Sequence, residues 1–409
     1  MPSPQRTSKG GNRGINLETI FASLVVSACL CSLLIAHLSR PNVVYVATRK
    51  LQFKTAVPIN SFQGGIHQVS LEADDPRPRH VIHDKIESEV ASSGVLPWFK
   101  PVPSPSIAPG VQHPYFEGYI IENKDICKNQ RVDILIYMHS EVSHFSSRTI
   151  LRETWAGLNN FKDIRVKTVF FLGDAAHPED GPGVGLEQST YNDIVQGDFV
   201  DVFTNLGIKA VMVSQWISRH CAHARYVIKV DDNIFLDIFR VTELFIPQIW
   251  HSPTTLMCHF QKGESRKIQR DPHNRWYVPV HLLANKTYYP EFCSGYAILM
   301  TTDVMPILYQ GSFKAPLIAV DDAFLFGLSA PTVKPLKYVD ISRHLSLQQD
   351  VQLGEYTSGA PITHTACKVK DSAGYRSLWN ATLNRLTDWA LQHASVHVLK
   401  QRQSLERGT

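Results

Sequence analysis

Hydrophobic and polar positions change rhythm twice along the chain. Between Thr19 and Leu38 the run "TIFASLVVSACLCSLLIAHL" holds no Lys, Arg, Asp or Glu. That length matches one crossing of a bilayer core; a cleaved signal peptide is the rival, though its apolar region is normally shorter. From 40 to about 125, prolines recur, as in "DDPRPRH" and "LPWFKPVPSPSIAPGVQHP", and long periodic segments are missing. Such tracts stay extended because proline cannot complete helix or sheet ladders. A peripheral loop-rich subdomain is the other reading. From about 130 the rhythm becomes regular. "RVDILIYM", "VKTVFFLG" and "RYVIKV" are short apolar runs that fit buried strands, and "DFVDVF" reads as extended. "SSRTILRETWAGL", "LEQSTYNDIVQ", "LGIKAVMVSQWISRHC" and "DIFRVTELFIPQIW" have helical spacing. In the third, Ile208, Val211, Met212, Trp216 and Ile217 gather largely on one side. Ser146 or Ser147 can cap the first.

Strands alternating with helices predict an α/β fold with a mainly parallel central sheet. Right-handed crossovers then bring successive strand ends to one edge, where ligands bind. The predicted organisation is a tail at 1–18, a single transmembrane anchor at 19–39, a stem at 40–125, a catalytic domain at 126–366 and a C-terminal extension at 367–409.

Composition narrows the function classes. Of 409 residues, 44% are hydrophobic and 19% charged, which excludes a disordered chain and a multi-span membrane protein. The net charge of +4 gives no reason to expect nucleic acid. Arg6, Lys9 and Arg13 precede the anchor, and Arg40, Arg49 and Lys50 follow it, so charge alone does not orient it. "NKT" at Asn285 and "NAT" at Asn380 are glycosylation acceptors that favour a bulk facing the secretory lumen. Beyond Cys29 and Cys31 in the anchor stand Cys127, Cys221, Cys258, Cys293 and Cys367, enough for at most two bridges and one spare thiol. No C-x-x-C pair exists, and "HCAHAR" offers His220, Cys221 and His223 without a second ligand pair, so a zinc site has no support. "GPGVG" at 181–185 does not follow a strand directly and reads as a loop, not a dinucleotide fingerprint.

Candidate chemistry begins at "YVIKVDDNIFLD", where two aspartates and an asparagine interrupt an apolar segment. Adjacent carboxylates repel, and burying them is costly unless a cation lies between them. Asp231, Asp232 and Asn233 fall at the carboxyl end of a strand, and oxygen ligands there suit a hard ion such as Mn²⁺ or Mg²⁺. The plainer reading is a cap for a following helix. A second acidic pair, Asp321 and Asp322 in "VDDAFLFG", likewise reads either as a site or as a helix start.

The order of motifs goes further. "RTILRETW", "VFFLG", "YNDIVQGDFVDVFTNLGIKAV", "KVDDNIF", "RWYV", "YYPEFCSG" and "VDDAFLFG" follow one another over about 130–345. This resembles the β-1,3-galactosyltransferase and β-1,3-N-acetylglucosaminyltransferase family. The resemblance implies a GT-A-type domain, a UDP-galactose or UDP-N-acetylglucosamine donor, a glycan acceptor on glycoprotein or glycolipid, and a Golgi type II orientation with the catalytic domain luminal. Homo- or hetero-oligomers stay open. By resemblance Arg148 and Arg152 help hold the nucleotide, with a solvated helix face as the alternative for either. Lys229, Asp231, Asp232 and Gly295 belong to the donor site. Asp231 and Asn233 hold the metal, with His344 as a third ligand and His364 as its rival. Asp322, more than Asp321, is the base that takes the acceptor's proton.

Three positions depart from the family pattern. Asn233 stands where the family carries the carboxylate that binds metal directly, which lowers the expected metal affinity. Ala297 and Ile298 replace a glycine and a tyrosine near the donor sugar. The expected reaction is a single inverting displacement; the alternative is a transferase-like protein without activity that serves as chaperone or partner of an active relative.

Overall fold

The computed structural model describes residues 113–177, 181–358 and 361–387. The expected tail, the anchor at 19–39 and most of the stem lie outside the described residues, as does the end of the C-terminal extension. Among the described residues, no helix is long and apolar enough to cross a membrane.

The apolar runs form strands. In chain order these are β1 (Tyr119–Ile121), β2 (Ile134–His139), β3 (Asn160–Phe161), β4 (Ile164–Asp174), β5 (Ile194–Val200), β6 (Tyr226–Asp231), β7 (Ile234–Leu236), β8 (Thr255–Gln261), β9 (Phe292–Thr301), β10 (Lys337–Asp340), β11 (Leu345–Ser346) and β12 (Ala366–Lys368). The helices are α1 (Phe145–Glu153), α2 (Pro182–Tyr191), α3 (Leu206–His220), α4 (Ile238–Leu244), α5 (Ile246–Ile249), α6 (Val304–Ser312), α7 (Gln349–Ser358) and α8 (372–387). A π-helix spans Ala323–Ser329.

The main sheet runs β1-β5-β4-β2-β6-β9-β8-β10, with β3 paired to β4. It is mixed, not mainly parallel. The β5-β4-β2-β6 core is parallel, as the alternation predicted. Beyond it β9 runs antiparallel to both β6 and β8. The consequence is positional. Because β9 enters at the edge where β6 ends, its early residues lie beside the carboxyl ends of the parallel strands, with Val230 opposite Ala297. A parallel β9 would have carried Gly295 to the far edge.

One face of the sheet packs on α3, α6 and the π-helix through Tyr137, Phe171, Val227, Ile298 and Met300. The expected amphipathic helix, α3, is in fact buried on nearly every side, including Lys209 and Gln215. Its polar groups find partners inside: Lys209 Nζ donates to the Ser140 carbonyl at 2.7 Å and pairs with Asp201. Such satisfaction is what makes burial tolerable.

Several local expectations shift. His144, not Ser146 or Ser147, precedes the first helical residue of α1. "GPGVG" opens α2 instead of forming a loop. That helix stops at Asn192, whose φ of 51° is left-handed, so "DIVQ" passes into β5 and not into helix. β1 pairs with β5 inside the expected stem, and the limit at 366/367 cuts through β12. Bridges join Cys127 to Cys221 and Cys258 to Cys293, leaving buried Cys367 as the free thiol among the described residues. Cys221 is thereby unavailable to a metal.

Candidate active site

Asp231 ends β6, level with His139 at the end of β2. The Asp231–Asn233 turn does not cap a helix. It leads into β7, and Asp237 is the residue that caps α4, accepting from the Arg240 amide at 3.1 Å. Asp232 turns back to the protein: one carboxylate oxygen takes both Ser140 Oγ and His144 Nδ1 at 2.8 Å. That bond is the main reason the His144 imidazole is raised above its ordinary value, against the opposing effect of burial. The Asp231 side chain remains 44% exposed, and Asn233 is exposed.

Lys229 binds the turn to the second acidic pair. Its ammonium, buried among carboxylates, lies 3.1 Å from Asp231 Oδ1, 3.7 Å from Asp321 Oδ2 and 2.7 Å from the Gly295 carbonyl. Burial alone would lower Lys229, but Asp231 and Asp321 carry it well above its usual range. Gly295 is required by this closure. A Cβ there would fall 2.4 Å from Lys229 Nζ and 3.5 Å from the Asp322 carboxylate. With no side chain, Gly295 gives its carbonyl to Lys229 and its N–H to Asp322 Oδ2 at 2.8 Å.

The two neighbouring aspartates are driven apart electrically. Asp321 is buried, with Oδ2 3.3 Å from His139 Nδ1. Burial opposes its charge, yet Lys229 and His139 hold its carboxyl far below the usual carboxylate range. Asp322 is half-buried and fixed by two backbone donors, Gly295 and Ala323, the latter at 2.9 Å. Burial, then the Asp321 charge, raise it to about 6. Separation of two adjacent carboxyls by their surroundings marks an acid–base site. The π-helix begins at the next residue, a geometry frequent at functional sites.

His139 escaped the sequence reading. It is 8% exposed in its side chain and neutral by preference, since burial depresses it despite Asp321. Its Nε2 is buried with no hydrogen-bond partner. The only signal in the sequence was its place just beyond an apolar strand.

Arg148 and Arg152 are placed differently from expectation. Arg148 is fully buried; Nε and Nη2 grip Glu187 at 2.7 and 2.8 Å, and the remaining donors reach Ser140 Oγ and the carbonyls of Glu141 and Val142. Arg152 forks onto Asp193 at 2.8 Å twice, with Nη1 on Glu187 at 2.7 Å. Burial works against the Glu187 charge, but the two guanidiniums hold its carboxyl below its usual value. Arg148 has spent its donors on protein acceptors, so it shapes the β2–α1 loop instead of gripping a diphosphate. The solvated-face alternative fails as well. Trp155 is core.

His344 does not join the turn. Its Nδ1 meets the Thr363 carbonyl at 2.7 Å, Nε2 accepts from Arg343 at 3.1 Å, and its carbonyl takes the Thr365 amide. Thr365 in turn bonds Asp237, past the far end of β7 from Asn233 and on the order of 10 Å along the strand. His364 pairs with Glu355 at 2.8 Å. Among the described residues, no three His, Cys, Asp or Glu side chains gather for a metal. What fits a divalent ion is smaller: the open oxygen of Asp231 and the amide oxygen of Asn233, both hard donors at an exposed turn. That set suits an ion that takes few protein ligands and completes its shell from water and phosphates.

Residues 146–340, which contain both acidic pairs, Lys229 and Gly295, match the family model described as galactosyltransferase. This stretch is similar to the galactosyltransferase family. β-1,3-Galactosyltransferase 1 of Mus musculus and of Homo sapiens are each 29% identical over 214 residues, 52% of this chain and 64% of the relative. β-1,3-Galactosyltransferase 5 of Gorilla gorilla gorilla is 28% identical over 226 residues, 52% of this chain and 73% of the relative. The chain thus spans 64% of the length of the first of these relatives. Among solved structures, core-mannan synthase A of Aspergillus fumigatus in its Mn/GDP form shares 12% identity, with a TM-score of 0.29 over 59% of this chain and 86% of that one. Apo mouse xyloside xylosyltransferase 1 shares 10%, with a TM-score of 0.25 over 58% and 97%. His139, Ser140 and His144 lie just before the matched stretch, and His344 just after it.

Proposed function

We propose that the protein transfers a hexose, galactose or N-acetylglucosamine, from a UDP-sugar to an acceptor sugar in β-1,3 linkage with inversion, on a GT-A-type domain. The observation that carries this reading is Asp322, a carboxylate fixed by two amides and raised to about 6 beside an ionised neighbour. A base is most effective when its pKa lies near working pH, and such assistance contributes about 10²- to 10⁴-fold. In the proposed step the acceptor oxygen attacks C1 of the donor sugar. Its proton passes to Asp322, the C1–oxygen bond to the diphosphate breaks, and UDP departs. Asp321 stays ionised between Lys229 and His139, keeping Asp322 basic. Asp231 and Asn233 are the residues that would hold Mn²⁺ or Mg²⁺. When bound, such an ion offsets negative charge on the diphosphate.

Two bridges and exposed Asn285 and Asn380 support a lumen-facing domain. With the apolar segment at 19–39 they favour a Golgi type II membrane protein. Asn233 favours a second reading, an inactive partner of an active transferase, because Asp231 is then the only full charge left open on the turn. The deciding experiment incubates the full chain with UDP-galactose or UDP-N-acetylglucosamine, Mn²⁺ and glycan acceptors, with linkage analysis of the product. β-1,3 product from the wild type supports transfer. A silent wild type alongside an active Asn233→Asp variant supports the inactive partner.

A further inference from the structure

The Asp232–Asn233 turn is held from behind by a part of the chain beyond the family-matched stretch. Tyr375 Oη donates to the Asp232 carbonyl at 3.1 Å, and the Val369 amide donates to the Asn233 carbonyl at 2.8 Å. Both carbonyls of the turn are thus fixed by the C-terminal segment, while Ser140 and His144 fix the Asp232 side chain. Tyr375 is buried, on the first turns of α8. The helix is anchored in its own right. Arg385 reaches Asp237 at 2.8 Å, Tyr356 of α7 reaches the same carboxylate at 2.6 Å, and Trp379 stacks on Phe239 at 6.3 Å. A rigid helix therefore places one hydroxyl against the backbone from which the outward donors, Asp231 and Asn233, project.

We infer that Tyr375 is a positioning residue for donor binding: through its hydrogen bond to the Asp232 carbonyl it sets the aim of the Asp231–Asn233 turn at the nucleoside diphosphate. This deepens the proposed function and rests on that turn receiving the donor. The physical reason is tolerance. Binding constellations must be held to within about 0.5 Å, and a two-residue turn between short strands cannot hold that by itself. Removing the hydroxyl takes from the part-buried Asp232 carbonyl its Tyr375 donor and lets the turn relax. The ring, and with it the packing of α8, is untouched in Tyr375→Phe.

The test compares wild type, Tyr375→Phe and Tyr356→Phe as full chains. Tyr356 is the control because its hydroxyl anchors α7 to Asp237 without touching the turn. UDP affinity is measured by titration calorimetry with Mn²⁺ and with EDTA, beside donor KM, acceptor KM, kcat and melting temperature. The expected result is UDP binding weakened about five- to tenfold in Tyr375→Phe, with a matching rise in donor KM. Its kcat and acceptor KM stay within about twofold, and Tyr356→Phe binds UDP as wild type does. Equal UDP affinity in wild type and Tyr375→Phe overturns the inference alone. So does equal weakening in the two variants, which would mark a general loosening of the C-terminal segment. A wild type that binds no UDP under either condition overturns the donor-turn reading, and the inference with it.

Discussion

Two ionic clusters lie in the same domain and have opposite characters. In one, Arg148 and Arg152 face Glu187 and Asp193, cation for anion, with the Arg148 donors all occupied. In the other, the Lys229 ammonium is shared among Asp231 and Asp321, with Asp322 adjacent and the His139 Nε2 unpaired. In the balanced cluster the charges are matched, and Arg148 has no donor left to offer a ligand. The unbalanced one holds a carboxyl away from its ordinary pKa, which costs stability and makes it chemically useful. Charge alone did not separate them; saturation does.

That contrast can be broken most sharply at its reactive end. Asp322→Asn keeps the shape and removes the proposed base, so transfer should fall about 10²- to 10⁴-fold while UDP affinity stays within a few-fold. Steady-state kinetics and calorimetry on one preparation check this, and a variant retaining most of its activity would move the base elsewhere. Next in size is Arg148→Met. Removing one partner of a buried pair costs about 3–5 kcal/mol, so the melting temperature should drop markedly. Unchanged melting with lost UDP affinity would return Arg148 to the nucleotide. The smallest effect is pH dependence. As the proposed base Asp322 must be ionised, so kcat/KM should be full above its value of about 6 and decline as pH falls through it. Asp321→Asn removes a charge that raises Asp322, so the acidic limb should shift downward in the full pH profile.

The sequence disclosed the pieces of the reactive cluster because strand ends and adjacent acids are local signals. β6 and its acidic turn, the α3 helix and the "VDDAFLFG" pair were all legible. The joining of those pieces was not. Gly295 reaches Lys229 because β9 runs antiparallel, and strand direction has no local signature in an apolar run. Glu187 sits in a segment with no obvious tie to "RTILRETW", so a motif arginine looked free when it was already paired. His344 was a lone histidine at inexact spacing, and its ring nitrogens turned to a carbonyl and an arginine. Resemblance supplied residue types at the right places, whereas hydrogen-bond saturation, which decides their roles, exists only in three dimensions.

The bridge from Cys258 to Cys293 joins β8 to β9 across the base of the long excursion between them, two residues before Gly295. The glycine that clasps the ammonium and the base therefore depends on a covalent tether formed only under oxidising conditions. Material produced in a reducing cytosol would carry every reactive side chain and still lack the staple that keeps their meeting point in register.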